Sequence, residues 1–559
     1  MNNRNHGRIR TLALLLLCAS WALLPACTPV EKPLGDELWY PGGKKTGAGR
    51  QLEKAPSAEK SAELPAGPLD LSVNDAILMA LENNREFLIE RMNPAIRKTR
   101  EKIESSAFDT TVTADVGASR SRTEKDTTSS GGYTNSVSRS TDAGVGLSKR
   151  FAGGTDVSLE LSTARTLSSM YSDEHRSRAG LTFTQALLQG AGTDVNLARL
   201  RQARIDTLVS QYELRGFAES LVANVERTYW DYVLAKRNIE IYSDSLKIAQ
   251  QQLSETKERI KIGKLAGVEL AAAEAEAASR KSALIDARSD LAKTRLRLLR
   301  MLNPPGGNTW SREVNLRNQP AVPEIKLDDV ESYVKVAMRM RPEMNQARLQ
   351  IKRQELEIVK TRNGLLPRLD LFITLGKSGY ADSFATSFSN ISDEDSYGIS
   401  GGISFEFPVR NRSARASHRS ARFNLEQAKE SLRNLEQLIE VDVRSAYIEV
   451  NRAKEQVTAS AATRKHREET HKAEVEKFRV GKSTTILVAQ AERDLVASRI
   501  SEIRTIVEYL KSMVELYRLE GALLERRGIL GPGRNPADPP DKSAENPEGT
   551  TETTPEKPK

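Results

Sequence analysis

The sequence predicts a mainly α-helical chain that carries a membrane β-barrel segment and is built from two internal repeats. Three observations predict this. Val225 to Gly263 returns 218 residues later as Val443 to Gly481 with no gap: Val225, Tyr229, Ala235, Lys236, Glu258 and Gly263 recur as Val443, Tyr447, Ala453, Lys454, Glu476 and Gly481. The register continues through Lys264, Ala271, Ala273 and Glu274, matched by Lys482, Ala489, Ala491 and Glu492, and reaches back to Ala203-Arg204 and Ala421-Arg422. Such a fixed offset marks a duplicated unit, and heptads alone would not align a helix-ending glycine. Second, the chain from about Val195 to Gly263 holds a helical pattern with no proline. Third, in each half a helix gives way to stretches of strict alternation.

Composition agrees with long helices rather than a large compact core. Of 559 residues only 5% are aromatic while 28% are charged, and Ala, Glu, Lys, Leu and Arg dominate the helical stretches. The 84 basic and 75 acidic residues give a net charge of +9, with Arg4, Arg8 and Arg10 in the first residues. Both signs are interspersed, which marks a solvated surface and not a nucleic-acid footprint.

Residues 1–26 read as an export signal. Arg8 and Arg10 precede an apolar run from Leu12 to Leu24, too short for an anchor helix. Leu24-Pro25-Ala26-Cys27 then looks like a bacterial lipoprotein processing site, with Cys27 the lipidated first residue of the mature chain. The other reading is an ordinary secretory signal that leaves an idle thiol. The only other cysteine, Cys18, lies in the leader, so the mature chain can form no internal disulfide. One lipid is a modest anchor, which calls for a second attachment to the membrane. Thr28 is not the aspartate that holds such lipoproteins in many inner membranes, which favours the outer one. Residues 27–68 read as the lipidated tether, 69–310 as the first repeat, 311–527 as the second, and 528–559 as a disordered tail of proline, acid and threonine.

Within the first repeat a helix starts at Ser72, capped with Asp75 three residues on, and runs to about Ala107. Its counterpart runs from near Asp328 to Asn363, aligning Ala80 with Ala337 and Glu86 with Glu343. Alternation follows each. Val112, Ala114, Val116 and Ala118 oppose Thr111, Thr113, Asp115 and Gly117, and Leu369, Leu371, Ile373 and Leu375 take the matching places. Returning strands follow: Leu181 and Phe183 stand against Thr182 and Thr184, and Ile399, Ile403, Phe405 and Phe407 against Ser400, Gly402, Ser404 and Glu406. One apolar and one small, polar side suit a sheet between lipid and water. A soluble sheet on a core alternates identically, but the helices are committed to one another and leave nothing to cover. Four strands cannot close a conducting barrel, and open edges are not tolerated in lipid, so several copies must pool their strands. Between Arg120 and Arg178, Val145 and Leu147, then Val157, Leu159 and Leu161, form a further alternating pair that either adds strands or makes an outer hairpin.

The rod from Val195 spans on the order of 100 Å at about 1.5 Å per residue. Ile239, Tyr242, Leu246, Ala249, Leu253, Thr256 and Ile260 step by three and four along it, a coiled-coil seam. In the second copy Ser460, Arg464, Arg467, His471 and Glu474 fall where Tyr242 to Thr256 stand, so either that helix faces water or its packing residues lie on another stripe. Short turns, Gly263-Lys264-Leu265-Ala266-Gly267 and Gly481-Lys482-Ser483-Thr484, lead to return helices ending near Leu302 and Leu524. Gly481-Lys482-Ser483 is not a phosphate-binding loop, since Glu476 occupies the required glycine position and a helix precedes it. His466 and His471 lie five apart, so they do not share a helical face as zinc ligands would, and read as solvated; His175 and His418 are isolated. No metal or cofactor is implied.

Taken together these residues resemble the TolC-like outer-membrane efflux proteins, from about residue 70 to 525. The resemblance rests on the duplicated order of helix, strand pair, long helix, turn and helix, on Leu366-Pro367-Arg368-Leu369, Phe405-Glu406-Phe407-Pro408-Val409, and Phe478-Arg479-Val480-Gly481. It implies a homotrimer, with four strands per subunit in a shared outer-membrane β-barrel above an α-helical barrel through the periplasm. It also implies a non-enzymatic exit duct for a tripartite efflux or type I secretion system, working with a periplasmic adaptor and, through it, an inner-membrane pump. The adaptor would dock at tips bearing Gly263, Lys264, Gly481 and Lys482. Glu269 would constrict the entrance, whereas Leu487 and Gln490 stand where the family often has aspartates. The alternative is a periplasmic coiled-coil lipoprotein acting as adaptor or spacer. An adaptor normally has one hairpin in a lipoyl-like sheet, and a spacer would not need two-faced strands.

Overall fold

The computed structural model describes residues 68–127, 132–168, 174–305, 309–323 and 326–529. The export signal, Cys27 and nearly all of the 27–68 tether and the tail lie outside the described residues. A three-residue strand, β1 (Leu69–Leu71), opens the described chain. Ser72 then caps the first helix as its sequence predicts: its hydroxyl accepts the Asp75 N–H at 3.2 Å, and the Asp75 carboxylate accepts the Ser72 N–H at 3.0 Å. The predicted single helix is instead three, α1 (Val73–Asn83), α2 (Arg85–Glu90) and α3 (Asn93–Ser105). Extended Asn84 interrupts the first turn-run and caps the next, accepting from the Phe87 N–H at 3.0 Å. Pro94, which has no N–H, starts the third.

Four strands follow: β2 (Thr111–Thr127), β3 (Gly132–Arg150), β4 (Thr155–Ser168) and β5 (Glu174–Ala186). A short turn, α4 (Thr193–Asn196), leads into the rod α5 (Ala198–Lys261), which returns as α6 (Val268–Leu302). Strand β6 (Val314–Leu316) pairs in parallel with β1, Leu69 opposite Val314. Strands this short show no period, so the sequence does not reveal them. Tyr229 and Tyr232 of α5 fasten the pair, donating to the Leu71 and Val314 carbonyls, each at 3.1 Å.

The second repeat breaks its first helix too, into α7 (Val330–Met340) and α8 (Pro342–Asn363). In the register that pairs Ala80 with Ala337, the break at Arg341 falls on Asn84, so the duplication extends to the kink. Strand β7 (Arg368–Ala381), helix α9 (Phe384–Asp393), strand β8 (Tyr397–Glu406) and the second rod α10 (Arg412–Arg479) follow. The return helix α11 (Thr485–Glu520) stops short of the predicted Leu524, and α12 (Leu523–Arg526) follows it. The main core lies where α1, both rods and both return helices meet, and it buries Tyr229, Leu298, Leu299, Val443, Val507 and Leu516. Val225 and its repeat partner Val443 are both fully enclosed.

Strands β2, β3, β4, β5, β7 and β8 form one antiparallel sheet in that order. This corrects the four strands per subunit that the resemblance implies. The alternating pair between Arg120 and Arg178 is β3 and β4, which join the same sheet because their apolar positions fall in register with their neighbours, Val145 opposite both Ala114 and Leu161.

Candidate functional site

The register gives the sheet two chemically distinct faces. Val112, Leu147, Leu159, Leu181, Leu375 and Ile399 are successive partners across all six strands. One residue along, Thr111, Ser148, Ser158, Thr182, Thr374 and Ser400 form the adjoining row, which points the other way. Within it the Thr182 and Thr374 hydroxyls lie 3.2 Å apart. Among the described residues no long helix packs on β2, β3 and β4, which beyond their sheet neighbours meet chiefly the turn at Ser106–Phe108; α9 packs on β5 and β7. At its margins β2 and β8 each have a neighbour on one side only.

Far from the sheet, both rods end in the same backbone device. Gly263 and Gly481 take left-handed φ values of +74° and +78°, which glycine adopts without a Cβ clash. The Lys264 N–H reaches the Arg259 carbonyl at 2.8 Å and the Gly263 N–H that of Ile260 at 2.9 Å. Lys482 and Gly481 repeat these bonds to Lys477 and Phe478 at 2.8 and 3.1 Å, closing both helix ends.

The structure brings the two tips side by side. Arg259 lies over the Phe478 ring at 4.9 Å, and Arg493 of α11 lies 3.8 Å from Glu276 of α6. Glu269, in the first turn of α6, accepts the Thr485 hydroxyl, so it occupies the joint between the hairpins. Lys264 and Lys482 are exposed. Four apolar residues that sequence reasoning missed stand around them: Ile262 (61% exposed) with its repeat partner Val480 (69%), and Val268 (76%) with Ile486 (56%). Their 218-residue spacing was the available signal, since a hydrophobe kept in both copies beside a turn has no core to fill there.

The polar stripe of the second rod resolves differently from either reading of its sequence. Ser460 shares a hydrogen bond with Thr505 at 2.8 Å, Arg464 pairs with Glu502 at 2.6 Å, Arg467 with Asp494 at 2.8 Å, and His471 with Glu492 at 2.8 Å. Glu474 accepts the Ser483 hydroxyl at 2.8 Å. All but Glu474, whose partner lies in the turn, form a half-exposed polar ladder to α11, and His471 is largely enclosed in it rather than solvated. The Nδ1 of His418 lies 3.2 Å from the Thr361 hydroxyl. His466 is exposed beside Glu469. Among the described residues no cluster of side chains is arranged to hold a metal ion, and no helix is long and apolar enough to cross a membrane.

Several solved structures share this architecture. The outer-membrane channel OprN superposes with a TM-score of 0.61 at 16% identity, covering 80% of this chain and 89% of its own. The CmeC outer membrane channel of Campylobacter jejuni gives 0.60 at 15% identity, over 87% and 95%. The MtrE outer membrane channel of Neisseria gonorrhoeae, in its open state, gives 0.58 at 16%, over 85% and 98%. Identities this low speak for the fold alone. Comparison with curated protein sequences returns no match. The family model described as outer membrane efflux protein matches residues 154–304 and 334–522, more than half of the chain and parts of both repeats. With the duplicated rods, the two-faced sheet and this match in hand, the chain belongs to the outer membrane efflux protein family and has its TolC-like channel fold.

Proposed function

We propose that identical copies of this chain close into a ring, a trimer as the TolC-like resemblance implies, that spans the outer membrane and reaches into the periplasm. The ring is the passive exit duct of a tripartite efflux or type I secretion system. The observation that carries this is the six-strand sheet, apolar on one side, hydroxylic on the other and open at two different edges. In lipid both edges must be paired, and joining β8 of one copy to β2 of the next does so. The helices leave a matching need: Ile89 on α2, Ile96 and Ile103 on α3 and Met92 between them, and Leu438, Val441 and Ile448 on α10, are exposed in the single chain. Unlike surfaces that must meet produce a cyclic ring rather than a two-fold dimer.

Transport energy comes from an inner-membrane pump, reached through a periplasmic adaptor that docks on the tips at Gly263, Lys264, Gly481 and Lys482. The exposed quartet of Ile262, Val268, Val480 and Ile486 supplies the apolar contact there, with Glu269 near the entrance. Cys27 carries the lipid that adds a second hold on the outer membrane. Two measurements test the reading. Protein extracted from outer membranes should run as a heat-resistant trimer and conduct in planar bilayers; a well-behaved monomer in detergent-free buffer after removal of the acylated terminus would sink it. Val480→Glu with Ile486→Glu should leave trimer and conductance intact but abolish export in cells; undiminished export would remove the tips from the docking role.

A further inference from the structure

Beyond conduction, we propose that the lipid-facing side of the sheet carries a built binding site for the phosphates of outer-leaflet lipid, centred on Arg120 and Arg139. The inference rests on the reading of the sheet as a membrane wall.

The strands that join the helices do so at one end of the sheet, so the opposite end, toward Thr127, Ser168 and Ala381, is the outer one. On the apolar face each of the first four strands changes character toward that end. In β2 the run Val112, Ala114, Val116, Ala118 is followed by Arg120 and Arg122. In β3 Val145 and Ala143 lead through Thr141 to Arg139, in β4 Leu161 leads through Thr163 to Arg165, and in β5 Ala179 leads through Ser177 to His175. Register then gathers these residues. Arg120 is the direct partner of Arg139, and Arg165 is the direct partner of His175.

From the helix end of the sheet out to Arg122, Val137, Leu167 and His175, the outer-face positions of β2 to β5 hold no aspartate or glutamate, and in sequence the first acid of that face, Glu124, follows Arg122. The opposite face mixes signs freely, with Asp115, Asp142, Glu160, Arg176 and Arg178. The basic rim is therefore not a general surplus of charge. Two like charges placed directly opposite each other destabilise a strand pair, and Arg120 and Arg139 are both exposed. An anion held by both guanidinium forks reverses that penalty, and guanidinium matches phosphate geometry.

The height of the rim is marked independently. Helix α9 lies on the same face, over β5 and β7, where the hydroxyls of Ser177 and Ser387 lie 2.8 Å apart. Gly379 is what lets it approach: a Cβ there would meet the Ser387 carbonyl oxygen at 2.2 Å. Its Phe384 is exposed with Phe388 beside it, ring centres 6.1 Å apart. A helix packed on the outside of the wall with Phe384 exposed fits the boundary between acyl chains and headgroups. The arginines stand at that boundary, so lipid phosphate, and not a dissolved anion, is the occupant.

The test uses the full-length trimer in neutral detergent, titrated with bisphosphorylated lipid A, with the same lipid after dephosphorylation, and with inorganic phosphate, read by retention in native mass spectrometry. The expected result is salt-sensitive retention of the bisphosphorylated lipid alone. Arg120→Gln, Arg139→Gln and Arg165→Gln together should weaken it roughly a hundredfold, taking about a factor of five per charge at an anionic surface. Arg176→Gln with Arg178→Gln, on the inner face, should not. Equal retention of dephosphorylated lipid, equal binding by the triple variant, or equal loss in the inner-face control would each overturn the site. Bilayer conductance keeps the two readings apart: a channel that conducts but shows no phosphate preference loses this inference alone, whereas one that neither inserts nor conducts loses the membrane wall as well.

Discussion

Glu219 is enclosed in α5 beside Arg215, whose side chain is just as buried. Burial raises the Glu219 carboxyl to about 8, the Arg215 charge opposing this only in part. Arg215 finds its counter-charge instead in Glu525 of α12, and Arg527 just beyond holds Glu226 at 2.7 Å. The chain's last described turn is thereby clasped to the first rod. A carboxyl that keeps its proton to about pH 8 when folded, but releases it near 4.5 when unfolded, makes the folded state the better proton binder in between. Stability therefore falls as pH rises through that window and levels off above it. Thermal unfolding of the purified protein from pH 5 to 9 should show this slope, and Glu219→Gln should flatten it, with a gain of at most ~5 kcal/mol at the alkaline end. An unchanged slope would mean that another group titrates. Nothing in the sequence singles out Glu219: on a helix so rich in charge, its surroundings include α12, whose Glu525 pairs with Arg215 and returns more than three hundred residues later.

Between elements, the two repeats solve one packing problem in two ways. Along α5 the seam of Leu246, Ala249, Leu253 and Thr256 is apolar or small, and Ala249 and Thr256 are buried. Along α10 the same places hold Arg464, Arg467, His471 and Glu474, and α11 answers with Glu502, Asp494 and Glu492. Half-exposed ion pairs contribute little, so Arg464→Ala and Glu502→Ala in a double-mutant cycle should couple by roughly 0.5–1 kcal/mol. That coupling should shrink in high salt; a value near zero at low salt would leave the ladder without a stabilising role. The periodicity of each helix was legible from sequence, as were the caps at Ser72, Gly263 and Gly481, because local spacing sets them. Which stripe meets which was not, since a polar stripe reads identically whether it meets water or an oppositely charged neighbour.

At the scale of the whole molecule, the proposed trimer would pool six strands from each of three chains into a barrel of about eighteen, the class that leaves an aqueous channel through its middle. The outer mouth should thus be wider than the four-strand arrangement gives, and neutral polymers entering from that side should penetrate to correspondingly larger sizes. Closure is checked directly with Val116→Cys on β2 and a cysteine moved along β8: some position should yield disulfide-linked trimers, and none at any position on an intact trimer would refute the shared wall. The sequence by itself determined the duplication, the long rods, the glycine-ended tips and the alternation of the strands, because periods of 3.6 and 2 and left-handed turns are written in neighbouring residues. Tertiary structure alone decided that β3 and β4 join the same sheet, that Thr485 engages Glu269 between the tips, and that Arg120 and Arg139 of neighbouring strands stand opposite each other. Those outcomes depend on strand register and on contacts between residues far apart in the chain, and local pattern carries no information about either.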